Sequence, residues 1–453
     1  MTAACFRLNS ESASLDDADP NESLLRWLKR QRLTGTKEGC GDGDCGACTV
    51  AVAEPDGNGG MRWLAMNACL LPMGAIVGRE VRTVEGLARG AILHPVQQAM
   101  IDTAGSQCGY CTPGFVMSLF VAQANGAGAH DAIEGNLCRC TGYRPILLAA
   151  ERIAGCAAGP GPDAAPRQEA WSSAQLGAFH SPTSLGAALQ FKRDWPQAEW
   201  IAGGTDLGVE LSRGRGRDRA FIALDRIVEL QELVISASAV RIGAGVSLSR
   251  IERELHGLFP ALDGMLPWFA ARQVRNRATL GGNLGSASPI GDLLPILLAL
   301  DATVHLRGPD GARDLPIDAF FLDYRKTARR ADELVEAVTL PRRAARIEAA
   351  YKVAKRQTDD ISIVAAAFAV EFDELQRVAQ VRLAYGGVAA IPRRARVVED
   401  FLLGRRLDSD TVAQAEALLQ SGFAPLDDHR ASAEYRRALC GTLFARFVAE
   451  RCA

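Results

Sequence analysis

A multidomain α+β fold is predicted by three features of this sequence. Eight of its twelve cysteines fall into two tight sets within the first 140 residues. A Pro/Gly/Ala stretch at 157–166 then reads as a linker. Beyond it, strand-like and helix-like segments alternate around two Gly-Gly loops. At 453 residues the chain is too long for one compact domain. Boundaries are expected to give domains at 1–78, 79–158, 172–342 and 343–453, with the linker at 159–171. The content of 48% apolar and 23% charged residues is that of an ordinary globular protein. A net charge of −2 supplies no overall basic field for nucleic acid. No apolar run approaches membrane-spanning length, and Leu293–Leu300 reads as core. The start shows no cleavable signal pattern, so a cytoplasmic location is expected.

In the first segment, residues 3–9 read as a strand and Ser23–Arg32 as a helix with Leu24, Leu25 and Leu28 on one face. Thr49–Ala53 reads as a second strand, 56–60 as a turn, and Arg62–Leu71 as the run that carries Cys69. Strands flanking one helix, with a cysteine loop at the edge, suit a β-grasp ferredoxin fold. Cys40, Cys45 and Cys48 stand at C-x4-C-x2-C with Cys69 as a distant fourth, the plant-type spacing for a [2Fe–2S] cluster. Such a cluster needs thiolates brought together and backbone N–H groups turned toward its sulfurs; Gly39, Gly41, Gly43 and Gly46 interleave with the ligands. A four-thiolate zinc site is the alternative, but this spacing is unusual for it. Disulfides do not fit a reduced cytosol.

From about residue 80 the pattern turns helical: Val84–Ala104, Phe115–Ala124, Asp131–Leu137 and Pro145–Ala157 make a four-helix unit. It carries Cys108 and Cys111 as C-x2-C, and Cys138 and Cys140 as C-x-C. By spacing alone zinc, a redox pair and iron–sulfur fit equally. Thr112-Pro113 reads as an N-cap followed by Pro at N1, which places the first pair at a helix start, where thiolate is favoured. Cys156 reads as a buried apolar thiol, and none of Cys5, Cys156, Cys440 and Cys452 is marked as a redox switch. His94-Pro95 opens a helix and reads as packing, not ligation.

After the linker, a helix at Ser184–Arg193 and a strand at Glu199–Ala202 run into Gly203-Gly204-Thr205-Asp206-Leu207. A strand ending in consecutive glycines can offer N–H groups to a phosphate; alone it reads better as an ordinary turn. A second loop, Thr279-Leu280-Gly281-Gly282-Asn283 and then Asp292, makes a dinucleotide diphosphate the better fit. Neither loop has the G-x-G-x-x-G form, and Gly243-Ala244-Gly245 reads as a strand-to-helix turn. The last domain reads as strands at Tyr351–Val353, Ile361–Glu371 and Val381–Gly387, then helices at Ala395–Leu402, Ser409–Ser421 and Ser432–Arg451.

The stretches Lys37–Val50, Gln107–Gly114 and Gly135–Pro145 resemble the iron–sulfur part of the xanthine dehydrogenase family of molybdenum hydroxylases, and the resemblance runs through nearly the whole chain. It implies a β-grasp [2Fe–2S] ferredoxin domain, a four-helix [2Fe–2S] domain, an α+β FAD-binding domain with two Gly-Gly loops, and a C-terminal α+β domain of sheet plus helices. By the match, Ala202, Gly203, Gly204, Thr205, Asp206 and Leu207 hold the FAD diphosphate and ribityl region. Thr279, Gly282 and Asn283 form the second phosphate loop, Asp292 bonds the ribityl chain, and Phe269 stacks near the flavin or adenine. Tyr324 and Arg325 correspond to NAD contacts, although a Tyr and a cation on a surface strand read nearly as well as structure. Lys355–Ser362 resembles the loop on the NAD side. Arg393 or Arg394 stands where relatives place a cation near the flavin pyrimidine. Gln107 would face the pterin of a partner, and Asp427–Arg437 is family-like with a structural role expected.

The implied function is electron transfer. Electrons from a substrate oxidised at molybdopterin in a separate large subunit would pass through the second cluster, the first and FAD to NAD, in a heterotetramer. Three rivals stand beside this: a molybdenum hydroxylase of the same build acting on another heterocycle, aldehyde or aromatic thioester; a ferredoxin–flavin electron carrier; and a zinc-stabilised scaffold.

Overall fold

The computed structural model describes residues 4–15, 18–56, 59–154, 156, 161–162, 171–173, 179–356 and 358–452. Most of the 159–171 linker, residue 3, Gly57 and Asn58 of the 56–60 turn, and Gln357 lie outside them. The chain divides into two compact units: Met1–Val228 with Ala270–Ala278, and Glu229–Phe269 with Thr279–Ala453. The predicted 172–342 domain therefore contributes to both. Among the described residues no helix is long and apolar enough to cross a membrane.

The first unit opens with a five-stranded sheet. Its strands are β1 (Cys5–Leu8), β2 (Glu11–Ser14), β3 (Thr49–Pro55), β4 (Met61–Asn67) and β5 (Glu80–Arg82), in the order β2-β1-β5-β3-β4. Only β1 and β5 pair in parallel. Two of these strands escape the sequence pattern. β2 is a polar edge, Glu-Ser-Ala-Ser, and β5 is three residues long, so neither shows a readable alternation. Helix α1 (Leu24–Arg30) is capped by Ser23 and buries Leu24, Leu25, Trp27 and Leu28 against the sheet. β3 is buried on both faces: Val50 and Val52 enter that core, while Ala51 and Ala53 enter the core of the next domain. One strand thus serves two cores, which is why it reads as a continuous apolar run.

Helix α2 (Met73–Ile76) precedes β5; α3 (Pro95–Asp102), α4 (Thr112–Asn125), α5 (Ala129–Ile133) and α6 (Arg144–Ala154) follow as the predicted four-helix unit. The expected helix over Val84–Ala104 is cut down to a 3-10 turn at Val84–Gly86 and α3. Pro95 sits in the first turn of α3, and His94 caps it with Gln97 in a reciprocal capping box. The residue before a proline is pushed out of helical geometry, so α3 cannot extend upstream. His94 packs edge-on against Phe120, as expected of a packing histidine. α4 starts one residue earlier than predicted, with Cys111, not Thr112, at its N-cap. α6 ends at Ala154, and Cys156 is exposed, not buried as expected, because it falls beyond the last turn. The unit closes with a four-stranded sheet, order β6-β7-β9-β8, from β6 (Trp171–Ser173), β7 (Phe179–Ser181), β8 (Glu199–Ile201) and β9 (Phe221–Ala223), with α7 (Leu185–Asp194) and α8 (Leu207–Ser212). The segment 270–278 adds α11 (Arg272–Arg275).

The second unit holds a five-stranded antiparallel sheet, β10-β11-β16-β12-β13, built from β10 (Leu233–Ile235), β11 (Ala239–Gly243), β12 (Thr303–Gly308), β13 (Gly311–Pro316) and β16 (Leu334–Pro341). Helices α9 (Leu248–Glu254), α10 (Pro260–Met265), α12 (Leu280–Ser286) and α13 (Leu293–Ala299) accompany it. α13 is buried along its whole length, as expected of a core segment. A hairpin, β14 (Phe321–Asp323) and β15 (Lys326–Thr327), precedes β16. The second sheet is antiparallel: β17 (Ile347–Val353), β18 (Val364–Phe372), β19 (Val378–Gly386) and β20 (Arg393–Arg394). Phe368 at its centre contacts Tyr351, Tyr385, Phe444 and Phe447. Three helices follow, α14 (Arg396–Leu402), α15 (Ser409–Ser421) and α16 (Ala433–Phe447); α15 and α16 share the Phe368 core. Buried Arg436 binds Asp428 and the carbonyls of Ile363 and Gly387, the structural role expected of 427–437.

Candidate cofactor sites

The first four cysteines form two pairs. Cys48 and Cys69 are buried with sulfurs 3.3 Å apart; Cys40 and Cys45 lie nearer the surface, each backbone N–H donating to the other's sulfur at 3.3 Å. The second set pairs likewise, Cys108 with Cys140 and Cys111 with Cys138 by sulfur–sulfur hydrogen bonds. At 3.3 Å the Cys48 and Cys69 sulfurs are too far apart for a disulfide bond of about 2.05 Å, and all eight cysteines are free. Nor do three of the described His, Cys, Asp or Glu residues converge on a single ion position. A [2Fe–2S] cluster takes two cysteine sulfurs at each iron, and two pairs supply that number. The protons point the same way. The Cys40 hydrogen bond holds Cys45 down to about 6, while that same bond and burial push Cys40 up. Cys69 holds the fully buried Cys48 thiol below the usual range, with Cys69 itself raised. In each of these two pairs one thiol is lowered and its partner raised, and a bound cation would favour the thiolate form of both.

The two cysteine loops touch. The Leu137 N–H, next to Cys138, donates to the Cys45 carbonyl at 3.0 Å, and Asn136 Nδ2 donates to the Gly46 carbonyl at 3.0 Å. The contact has no room for side chains: a Cβ on Gly46, whose φ is +66°, would lie 2.2 Å from the Gly135 carbonyl oxygen. Gln107 is exposed immediately before exposed Cys108. The polar residues that hold this junction were not read from the sequence. Gln273 donates to Asn136 Oδ1 at 3.0 Å and reaches Ser118 and Thr49 at 3.3 Å. Their signal was Ala271–Thr279, a run rich in polar residues bounded by apolar segments.

Ala202–Asp206 connects β8 to α8 in the first unit, with Gly204 at φ +73°. Gly203 is pressed on the strap that follows Ala270: a Cβ there would sit 1.9 Å from the Arg277 carbonyl oxygen, and Arg277 Nε donates to the Gly203 carbonyl at 3.2 Å. Arg277 also faces half-buried Asp225 at 3.4 Å, which Arg79 binds at 2.8 Å. Burial works to raise the Asp225 carboxyl, but Arg79, Arg277 and Arg226 together hold it below the ordinary range. Asp206 stands exposed at the N-cap of α8, and Leu207 begins that helix.

In the second unit Thr279 caps α12, accepting from Gly282 N at 3.0 Å. Asn283 Oδ1 is buried without a hydrogen-bond partner, the kind of orphan acceptor a ligand donor would satisfy. Asp292 is buried and spends its carboxylate on Lys352 Nζ at 2.8 Å and on Ser362. Neither partner was singled out from the sequence as a site residue, although Lys352 interrupts an apolar strand pattern. Phe269 is half-buried at the end of a 3-10 turn. Tyr324 and Arg325 are exposed at the tip of the β14–β15 hairpin, Arg325 with φ +51°. Of the two candidate flavin cations, Arg394 is committed to Glu399 and lies 3.7 Å from Asp301, whereas Arg393 is exposed on the same short strand.

Four family models match the chain in succession: a 2Fe-2S iron-sulfur cluster binding domain over 6–73, a [2Fe-2S] binding domain over 83–151, an FAD binding domain in molybdopterin dehydrogenase over 173–343, and a CO dehydrogenase flavoprotein C-terminal domain over 349–451. Xanthine dehydrogenase of Emericella nidulans is 33% identical over 98% of this chain and 38% of its own length. Xanthine dehydrogenase 1 of Arabidopsis thaliana is 30% identical over 99% of this chain and 39% of its own. The chain therefore spans well under half the length of the curated relatives it matches. Among solved structures, carbon monoxide dehydrogenase from Hydrogenophaga pseudoflava superposes with a TM-score of 0.56 at 27% identity, covering 59% of this chain and 94% of that one. Quinoline 2-oxidoreductase from Pseudomonas putida 86 gives 0.56 at 28%, covering 60% and 95%. The paired thiolates and the successive domain matches define an iron–sulfur flavoprotein with two [2Fe–2S] clusters and FAD. More particularly, the chain belongs to the molybdenum hydroxylase family, as its iron–sulfur and FAD part.

Proposed function

We propose that this chain is the electron-transfer part of a cytoplasmic xanthine dehydrogenase, carrying electrons from a molybdopterin-bearing partner subunit to NAD, in an α2β2 heterotetramer. The observation that carries the transfer role is the direct hydrogen bond from Leu137 N to the Cys45 carbonyl, which joins a loop of the first cysteine set to a loop of the second. The bound clusters would supply one-electron chemistry and the flavin the exchange between single electrons and hydride. Cys40 with Cys45 and Cys48 with Cys69 would hold one cluster; Cys108 with Cys140 and Cys111 with Cys138 the other. In the first set one pair is buried and one near the surface, in the second only Cys138 is buried, and the two environments would set different potentials. Gln107 and Cys108 are exposed together, as a group meeting the partner's pterin must be.

For the flavin, Ala202–Leu207 would take the diphosphate and ribityl region through backbone N–H groups, with Thr279, Gly282 and Asn283 as the second phosphate loop and Phe269 as the stacking ring. Asn283 Oδ1 has an acceptor position to offer. Asp292 would reach the ribityl chain while Lys352 and Ser362 hold it in place. Arg393 is better placed than Arg394 to face a flavin pyrimidine, since Arg394 is already neutralised by Glu399. Exposed Tyr324 and Arg325 would meet NAD. The xanthine assignment rests on the names of the curated relatives. A second reading, a hydroxylase for another substrate, is favoured by the likeness to carbon monoxide dehydrogenase and quinoline 2-oxidoreductase.

The test is to purify the chain with whatever binds it and add xanthine and NAD without oxygen, following flavin, iron–sulfur and NADH absorbance together. NADH formation with transient cluster bleaching supports the reading. If xanthine does nothing while NADH bleaches flavin and clusters, the NAD end stands and the xanthine assignment falls. If neither reagent changes a spectrum that contains iron and flavin, the NAD assignment falls too.

A further inference from the structure

The segment Ala270–Ala278 is the part of the chain beyond Val228 that packs as the first unit. Its contacts sort along its length. Gln273, 2% exposed, ends its hydrogen bonds on Thr49, Ser118 and Asn136, at the junction of the two cysteine loops. Fully buried Arg275 binds Glu134 at 2.6 Å, and Asn276 Nδ2 donates to the Ala65 carbonyl at 2.8 Å. Four residues beyond Gln273, Arg277 donates to the Gly203 carbonyl, and its own carbonyl closes the space where a Gly203 side chain would go. Backbone bonds from Arg275 to Ala271, Asn276 to Arg272, and both Arg277 and Ala278 to Val274 make the strap one wound piece without slack. A close-packed, wound element of this kind transmits displacement from one end to the other.

We propose that Gln273 and Arg277 are positioning residues for the flavin: the strap holds the Gly203–Gly204 loop in its diphosphate-binding shape and takes its own footing from the cluster junction. This rests on the reading of Gly203–Leu207 as an FAD loop. Neither side chain need touch the flavin. Arg277 acts on a backbone carbonyl whose orientation fixes the direction of the neighbouring N–H groups, and its charge is kept in place by Asp225, itself bound by Arg79. Gln273 acts at one remove, because its hydrogen bonds do not reach the loop.

The experiment uses the full chain with its bound partner, stripped of FAD and titrated with it. Flavin fluorescence gives affinity, visible circular dichroism the flavin environment, and iron analysis the clusters. Arg277→Met is expected to bind FAD roughly tenfold more weakly, the size of one lost charge-assisted hydrogen bond, with an altered flavin dichroism band. Arg277→Lys should recover part of both, and Gln273→Met should weaken FAD binding severalfold with iron retained. Unchanged affinity and dichroism in Arg277→Met and Gln273→Met at wild-type iron content would overturn the proposal. So would parallel loss of iron and flavin in both, which would make the strap a folding element only. A wild-type protein that takes up no FAD at all would remove the flavin reading itself.

Discussion

Gly114→Ala is a test of the cluster junction in which two effects of opposite sign compete. Gly114 lies in the first turn of α4, with no unusual backbone angle to protect. On helix propensity alone, alanine there should stabilise by up to about 1 kcal/mol. The junction opposes this. A Cβ at Gly114 would lie 2.2 Å from the Gly46 carbonyl oxygen and 3.1 Å from the Ala47 Cα, both backbone atoms. Ordinary contact begins at 3.4 Å, so the loop carrying Cys45 and Cys48 must retreat by more than 1 Å. Backbone cannot rotate away as a side-chain tip can, so the overpacking cost falls at or above the upper end of the usual range, about 3 kcal/mol. The net expectation is a loss of about 2 kcal/mol, roughly thirtyfold in the populations concerned. The assay is the rate of cluster bleaching in moderate urea, with electron paramagnetic resonance of the reduced protein to report the spacing of the two centres. Faster bleaching and a changed spin–spin interaction are expected. A variant as durable as the wild type, with an unchanged spectrum, would refute the close packing of the two cysteine loops.

Three further outcomes follow from the same geometry. Cys108→Ser should lower iron from about four to about two atoms per chain and remove one of two paramagnetic signals, whereas Cys156→Ala should change neither, since Cys156 is exposed outside both sets; iron analysis with spectroscopy decides. Lys352→Met should cost about 3–5 kcal/mol, because it leaves the Asp292 carboxylate buried without its cation, read as a lowered urea midpoint that Asp292→Asn in the same chain should partly restore. Asp428 is held at about 2 against an ordinary 3.8: burial tends to raise it, but the N–H groups of Ala431 and Arg430 and the Arg436 guanidinium outweigh that. A depressed carboxyl contributes stability that is fully present above its unfolded value and is lost as pH falls through the folded one. Asp428→Asn should therefore be the less stable protein at pH 7, and the gap should close between about pH 4 and pH 2.

Much of the plan was legible in the sequence, because the chemistry of each cysteine set is written in short spacings. C-x4-C-x2-C and its Gly-rich loop need no tertiary information to suggest thiolates gathered at a strand edge. The helices with strong caps, Ser23 for α1, Ser184 for α7 and Ser432 for α16, were readable for the same local reason. β2 and β5 were missed because a short or polar strand is defined by its partners, not by its own pattern. The Val84–Ala104 helix was overdrawn because periodicity counted apolar residues and ignored what Pro95 does to His94.

What folding alone decided is how the sulfurs divide, Cys40 with Cys45 and Cys48 with Cys69, because pairing depends on where β3 and β4 bring distant residues. It also decided which of two adjacent arginines is free, since Glu399 reaches Arg394 from the next helix and leaves Arg393 exposed. Above all it placed Gln273 in contact with Thr49, 224 positions away, and Arg277 with Gly203, 74 positions away. Residue types and local spacing determine which chemistry a segment can carry. Long-range packing determines which segments share it, and no short window of sequence contains that information.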